Sequence, residues 1–347
     1  MMTSTTKDSV LVVVVVAGYI GSHIGKMLAQ ADFDVVILDN LSTGFADAAR
    51  DDGLIRRDLA DQALLDRLFH EHAFVAVLHN AALSHVGESV QKPARYYRNN
   101  VANTLNLLDA MLAHAVQRLI FSSTAAIFEE PETNCISEDH PQQPTNPYGR
   151  SKSMVEEMLA DYARDYGLRS VGICHFNASG AYPEGELCEH HEQESRRIPL
   201  VLQTANSRRD HIASYGNDYA TSDGTCVRDY IHVWDLCSAL LLALEHLLAD
   251  GRCDAFNLGN VSGFFVQKVV DAARRMTGKD IPGVIEGRRA GGPAVFVADS
   301  RRVWRELGWW PQFNVLNVII EFARKWKLST VRDRMAPTYT TGGSIPI

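Results

Sequence analysis

The sequence predicts an α/β fold, a doubly wound parallel sheet followed by a smaller mixed α/β lobe. Three observations predict it. Short apolar runs alternate with helical patterns over the first half of the chain. A glycine-bearing turn follows the first of those runs. Beyond about residue 178 the alternation becomes irregular. The 347 residues suit about two domains at ~150 residues each. Hydrophobic residues at 46% and charged residues at 22% are ordinary for a globular chain and exclude wholesale disorder. With 42 acidic against 34 basic side chains the formal net charge is −8, which excludes a general nucleic-acid binder. Any anionic ligand must then be held by locally placed arginines and helix N-termini.

Leu11-Val12-Val13-Val14-Val15-Val16 is short, apolar and β-branched, as a strand buried on both faces requires. Ala17-Gly18-Tyr19-Ile20-Gly21-Ser22 is the turn, and a helical pattern runs on through Met27 and Leu28. Val35–Leu38 is a second buried strand ending at Asp39. Residues 61–71 read as helix, Val75–Leu78 as strand, 94–114 as helix and Leu119–Phe121 as strand. Asn146 caps a helix with Pro147 at its first position, and Gly167 ends it after Tyr166. Val171–Ile173 is the next strand. Further on, helices near 234–248 and 265–277 interleave with short strands such as Ala255–Leu258. The expected division is a flexible tail over 1–9, a Rossmann-like domain over 10–177, a mainly substrate-binding lobe over 178–335 with segments returning to the first domain, and a flexible tail over 336–347.

Six cysteines lack CxxC spacing and read as reduced thiols of a cytoplasmic protein. No apolar stretch approaches the ~20 residues of a membrane span, and residues 1–9 lack the order of a signal peptide. His190-His191 is the only tight histidine pair, and with no third ligand near it no metal site is expected.

Two motifs carry chemistry. In the first, Gly18 and Gly21 follow a strand and open a helix, and Asp39 ends the next strand about 20 residues on. Glycines let the backbone approach a pyrophosphate, the helix N-terminus faces it, and the acid bonds a ribose. An acid there favours NAD over NADP, because it would repel a 2′-phosphate. The plain alternative is an ordinary strand–helix turn. In the second, Tyr148-Gly149-Arg150-Ser151-Lys152 puts Tyr and Lys on one helical face, where the ammonium should stabilise a phenolate and lower the Tyr148 pKa. Such a pair is more often a solvated helix face. Here it has company in Ser122-Ser123-Thr124 at the end of a strand. Arg228 and the Arg288-Arg289 pair could hold phosphate.

Taken together, the chain resembles the UDP-glucose 4-epimerase (UDP-galactose 4-epimerase) family of extended short-chain dehydrogenase/reductases, from about residue 10 to 327. The most specific matches are Ala17–His23, Asp39–Ser42, Val86–Ser89, Tyr96–Val101, Asn146–Lys152, Gly216–Tyr219 and Asp223–Val233. The resemblance implies an NAD-dependent isomerase that oxidises C4 of a UDP-hexose, turns the 4-keto sugar within the site and reduces its other face. It implies a homodimer built on helices near 94–114 and 148–166. Tyr148, Lys152 and Thr124 match the catalytic positions. Gly18, Tyr19, Ile20 and Gly21 match the cofactor turn, and Asp39, Asn40, Ser42, Asp58 and Leu59 the adenosine side. Asn80, Ala81, Ala82, Ser84 and Asn99 match further cofactor positions, as do His175 and Phe176. For substrate, Thr124 and Tyr148 match sugar contacts, while Asn177, Arg197, Tyr215, Arg228, Tyr230 and Arg289 match positions around UDP. Phe296 matches a gate that closes the sugar pocket to N-acetyl groups.

Several positions depart from the family pattern. Val14-Val15-Val16 stands for the usual Thr-Gly-Gly, Cys174-His175 for Arg-Tyr, and Gly292 for a common ribose-binding Asp; Ser195-Arg196-Arg197 replaces the usual uracil-facing stretch. Valine's branched Cβ at 15 and 16 should crowd a pyrophosphate. The alternatives are a weakly active or non-catalytic nucleotide-sugar-binding relative with a damaged cofactor loop, or an epimerase of UDP-N-acetylglucosamine or UDP-glucuronate. Ala125-Ala126 after Thr124 disfavours a 4,6-dehydratase, which carries Asp-Glu there.

Overall fold

The computed structural model describes residues 11–15, 18–44, 54–128, 131–189, 194, 196–260, 262–288 and 292–335. In the first part β1 (Leu11–Val15), α1 (Tyr19–Gln30), β2 (Asp34–Asp39), β3 (Leu54–Arg56), α2 (Gln62–Glu71) and β4 (Phe74–His79) follow one another. Next come α3 (Val86–Gln91), α4 (Pro93–Tyr97), a π turn (Arg98–Ala102), α5 (Asn103–Ala113), β5 (Arg118–Thr124), a 3-10 turn (Ala125–Phe128) and β6 (Cys135–Ile136). The long helix α6 (Pro147–Tyr166) leads to β7 (Arg169–His175), β8 (Asn177–Ser179), α7 (Arg197–Ala205), β9 (Ile212–Tyr215), β10 (Val227–Arg228) and β11 (Tyr230–His232). The chain closes with α8 (Val233–Leu248), β12 (Asp254–Leu258), β13 (Phe264–Phe265), α9 (Val266–Thr277), β14 (Gly283–Glu286), β15 (Val295–Ala298), α10 (Arg301–Leu307) and α11 (Leu316–Met335).

Seven parallel strands form the main sheet in the order β12-β7-β5-β4-β1-β2-β3. The fold is the expected Rossmann-like doubly wound α/β. Apolar side chains of α1 and α8, among them Ile24, Leu28, Leu240 and Leu244, cover one face. Those of α2, α5 and α6, among them Leu65, Leu107, Met111 and Val155, cover the other. Both faces are therefore dry, which is why the strands read as continuous apolar runs. A separate cluster joins α7, α9 and α11 through Val201, Val269 and Ile319. The sequence reading names no helix over 316–335. Its burial comes from contacts with distant α7 and α9, which local periodicity does not carry.

Chain order reverses at β1, which pairs with β2 on one side and β4 on the other. Ligands of open α/β sheets bind outside the carboxyl ends of the strands at such a switch. Val15 remains in the ladder, opposite Leu38 and His79. Val16 and Ala17 lie outside the described residues, and so does the expected crowding of the turn.

Helix α6 starts as its sequence implies. The Asn146 side chain accepts from the Gly149 N–H at 2.9 Å, and Gly167 ends the helix at φ 71°. Gly149 is required by approach rather than by backbone angle. A Cβ there would stand 2.3 Å from the Ala126 carbonyl oxygen and 3.0 Å from the Pro144 side chain. That closeness clamps the start of α6 to the turn after Thr124. Gly149→Ala should therefore destabilise the protein by about 1–3 kcal/mol through overpacking, read as a lower urea midpoint; an unchanged midpoint would mean that the turn yields freely.

Candidate active site

The end of β5 and the first turns of α6 bring Thr124, Tyr148 and Lys152 together, each less than a tenth exposed. The Thr124 hydroxyl accepts from the Ala126 N–H at 3.2 Å and lies near enough to the Tyr148 phenol to favour its ionised form. Lys152 Nζ donates to the Ser122 carbonyl at 2.6 Å and lies 4.5 Å over the Phe121 ring. The Tyr148 ring meets Tyr96 edge-on at 6.5 Å. Below it Ser151 Oγ donates to the Tyr148 carbonyl, and Asn100 of the π turn donates to Ser151 Oγ and to the Leu83 carbonyl. The tyrosine is thus locked by packing on one side and by a hydrogen-bonded chain on the other.

Burial sets the electrostatics here. It raises the Tyr148 pKa, with the Thr124 hydrogen bond and the Arg196 charge pulling against it. The expected lowering by Lys152 is therefore corrected. Lys152 faces the Ser122 carbonyl, and burial brings its own pKa from 10.5 down to about 7, opposed by the Glu156 carboxylate.

Outside β2 and β4 a crevice is lined by Asp39, Asn40, Ser42, Asp58, Leu59, Ala81, Ala82 and Asn99. Asp58 is a hub: one oxygen takes the Asn40 amide at 2.6 Å, the other the Ala60 N–H at 2.8 Å. The Asp39 carboxylate accepts from the Leu41 N–H at the end of β2. Among the described residues no side chain caps α1 at Gly18, so its first N–H groups remain available to an anion. The Asn80 amide nitrogen is likewise buried without a partner. An acid for a ribose, a free helix N-terminus for a pyrophosphate and a cation at the far end together fit NAD. Not every expected residue joins. Gly18, Ile20 and Gly21 open α1, but the Tyr19 hydroxyl turns away to the Gly180 carbonyl at 2.9 Å, and Ser84 is exposed outside this lining. His175 is buried against the Ser122 hydroxyl at 3.2 Å, and Phe176 packs on Phe296 at 5.0 Å.

A second cavity, of about 250 Å³, is lined by Asn177, Tyr215, Tyr230, Gly292 and four arginines, Arg196, Arg197, Arg209 and Arg228. Arg197 donates to the Ala213 carbonyl at 2.6 Å and Arg228 to the Val227 carbonyl at 2.8 Å. Asn177 is oriented by the Asp229 carbonyl at 2.7 Å. Arg289 lies outside the described residues; its neighbour Arg288 pairs with Asp218 at 2.7 Å and covers the Tyr219 ring. Among the described residues no cluster of three His, Cys, Asp or Glu could hold a metal ion, and no helix is long and apolar enough to cross a membrane.

Residues 11–259 match the NAD dependent epimerase/dehydratase family. The chain belongs to that family. It is 46% identical over 310 residues to a UDP-glucose 4-epimerase of Halalkalibacterium halodurans, covering 89% of this chain and 93% of that protein. Among solved structures, the UDP-glucose 4-epimerase of Brucella ovis in complex with NAD is 45% identical, with a TM-score of 0.89 over 91% of this chain and 98% of that one. A UDP-glucose 4-epimerase from Stenotrophomonas maltophila, with bound NAD and formylated UDP-arabinopyranose, is 36% identical, with a TM-score of 0.90 over 93% of this chain and 99% of that one.

Within this NAD dependent epimerase/dehydratase scaffold, Arg196, Arg209 and Glu156 hold positions that no motif of the sequence marks. Arg196 sits at the N-terminus of α7, its guanidinium 2.6 Å from the buried Glu189 carboxylate. The doublets Arg196-Arg197 and Arg208-Arg209 in an acidic chain were the available signal.

Asp229, between Arg228 and Tyr230, is fully buried and accepts from the Asn260 N–H at 2.7 Å and the Ala298 N–H at 3.2 Å. Burial raises its pKa from 3.8 to about 7 against those two donors. The folded state thus holds this proton more tightly than the unfolded chain. The resulting stability is present below 3.8 and is lost as pH rises through about 7. Asp229→Asn should flatten the fall in unfolding free energy across that window, measured by urea titration at several pH values. A variant slope equal to the wild-type slope would exclude Asp229 as its source.

Proposed function

We propose that this protein interconverts UDP-glucose and UDP-galactose by inverting C4 of the hexose. The observation that carries the proposal is the burial of Thr124, Tyr148 and Lys152 together at the end of β5 and the start of α6, in a chain that also carries an acid-lined crevice and an arginine-lined cavity. Support also comes from the relatives, which are UDP-glucose 4-epimerases over about nine-tenths of the chain. NAD, when bound, supplies the hydride acceptor and donor for C4. Asp39, Asn40, Ser42, Asp58 and Leu59 would hold its adenosine end, the start of α1 its pyrophosphate, and Lys152 its nicotinamide ribose.

The remaining work falls to the chain itself. As a phenolate, favoured against burial by the Arg196 charge and by the positive charge that bound NAD would bring, Tyr148 Oη takes the proton of the sugar 4-hydroxyl and later returns it. The single Thr124 O–H would donate to the sugar O4 once substrate is bound, so the oxygen that gains charge has a donor beside it. Asn177, Tyr215 and the arginines around Arg228 grip UDP. That grip holds the substrate while the sugar turns and presents its other face, so remote binding energy serves the reacting centre. The chain divides accordingly into a cofactor half ending near 177 and a UDP-sugar lobe after it. Exposed Leu105 on α5, with Met154 and Tyr166 on α6, at 41%, 43% and 56% exposure, support a homodimer through these helices. Six free cysteines support a cytoplasmic location.

The test is conversion of UDP-galactose to UDP-glucose by purified protein that retains NAD, read from its absorbance. Tyr148→Phe should lower kcat by ~10²–10⁴-fold without changing the far-ultraviolet circular dichroism; near-wild-type turnover would reject Tyr148 as the base. Phe296, packed on Phe176, narrows the sugar end. UDP-N-acetylglucosamine should therefore be a poor substrate, and Phe296→Ser should improve it. Comparable turnover of the N-acetylated and plain sugars by wild type would remove Phe296 as a gate.

A further inference from the structure

Tyr148 and Lys152 belong to a longer stripe. Glu156 follows one turn on, so Tyr, Lys and Glu stand at i, i+4 and i+8 on the face of α6 that packs against the sheet. Glu156 is half-buried and desolvation raises its pKa, so its carboxylate needs partners that favour the charged form, and it has them in Ser123, Gln142 and the Lys152 charge. Ser123 Oγ donates to one oxygen, and Gln142 Nε2 donates to the other at 2.6 Å. Gln142 is fixed in turn by the Ser153 hydroxyl at 2.7 Å. Ser123 directly follows Ser122, whose carbonyl accepts from Lys152 Nζ. The ammonium and the carboxylate are thus anchored on consecutive residues of β5.

We propose that Glu156 is the counter-charge that keeps Lys152 an ammonium beside the catalytic tyrosine, a positioning residue that acts through Lys152. The proposal rests on the reading of Lys152 given above.

The other titratable groups around this site cannot do the job. His79 on β4 is buried and neutral, its pKa lowered to about 3 by burial and the Lys152 charge. His175 on β7 is neutral too, its pKa lowered to about 4 by burial and by the Arg196 and Lys152 charges. Burial holds the Cys174 thiol of β7 protonated, and the Glu156 charge adds to that. Arg196 beside Tyr148 is a further cation. Glu156 is therefore the one anion among the described residues that opposes the loss of the Lys152 proton.

The experiment follows the Lys152 Cε shift by nuclear magnetic resonance in full-length protein labelled with carbon-13 lysine, assigned by Lys152→Met. Glu156→Gln keeps the shape and removes the charge, its oxygen still accepting from Gln142 Nε2 while its new amide N–H donates to a Ser123 hydroxyl that must turn to accept; it should lower the Lys152 midpoint by about one unit, while Glu156→Asp holds it near the wild-type value. An unmoved midpoint in Glu156→Gln, or equal falls in both variants, overturns the proposal. Coupling is reciprocal, so a second measurement needs no change at position 156. In Lys152→Met the Glu156 carboxyl should titrate at higher pH, and an unmoved Glu156 overturns the proposal equally. In turnover of UDP-galactose, Glu156→Gln should move the alkaline limb of kcat to lower pH by the same amount and leave KM within about twofold, since Glu156 touches neither pocket lining. A wild type that titrates as expected yet epimerises nothing sinks the functional reading and leaves the coupling standing.

Discussion

A lysine ammonium buried against the end of a parallel strand is the constraint around which the rest of the molecule is arranged. Lys152 is 3% exposed, and an ammonium taken out of water costs several kcal/mol unless it finds oxygen and opposite charge. The Ser122 carbonyl and the Phe121 ring give it a close contact each. That contact exists because Gly149 lets α6 lie on the turn after β5, and because Asn146 starts the helix where it does. Capping, close approach and burial of charge are thus one arrangement seen at three scales.

The two pockets have different origins. The crevice at the β1–β4 switch follows from topology alone, since strands diverge there. The arginine-lined cavity has a different origin. Its residues come from β8, α7, β9, β10 and β11, which the main sheet does not align. Asp229 is the pin between them. Its carboxylate ties Asn260 and Ala298, and its carbonyl orients Asn177. A buried acid at such a junction has a stability cost at neutral pH that solvent-exposed residues would not incur, in return for fixing the geometry of the arginine-lined wall.

Much of the seven-stranded parallel sheet and its helices is legible in the chain order. The valine run, the turn at Gly18, the acid at Asp39 and the pair Tyr148/Lys152 are local patterns whose spacing maps directly onto strand ends and one helix face. The second cavity is less legible. Arg196 and Arg209 belong to arginine doublets without periodicity, and only folding shows that both line one wall with Arg228. The direction of the Tyr148 perturbation also escaped the sequence. Spacing places a cation one turn away, but it does not reveal that this cation faces the Ser122 carbonyl and that burial raises the Tyr148 pKa.

The sequence by itself determined the alternating α/β order, the helix that carries Tyr148 and Lys152, and the chemistry these residue types can perform. These properties depend on neighbours within about one helical turn or one strand. Only the tertiary structure decided that Lys152 rests on the Ser122 carbonyl, that Glu156 reaches Ser123, that Tyr19 turns to Gly180, and that four arginines share a cavity. Such contacts join residues far apart in the chain, and the burial that sets their charge states is a property of the packed whole.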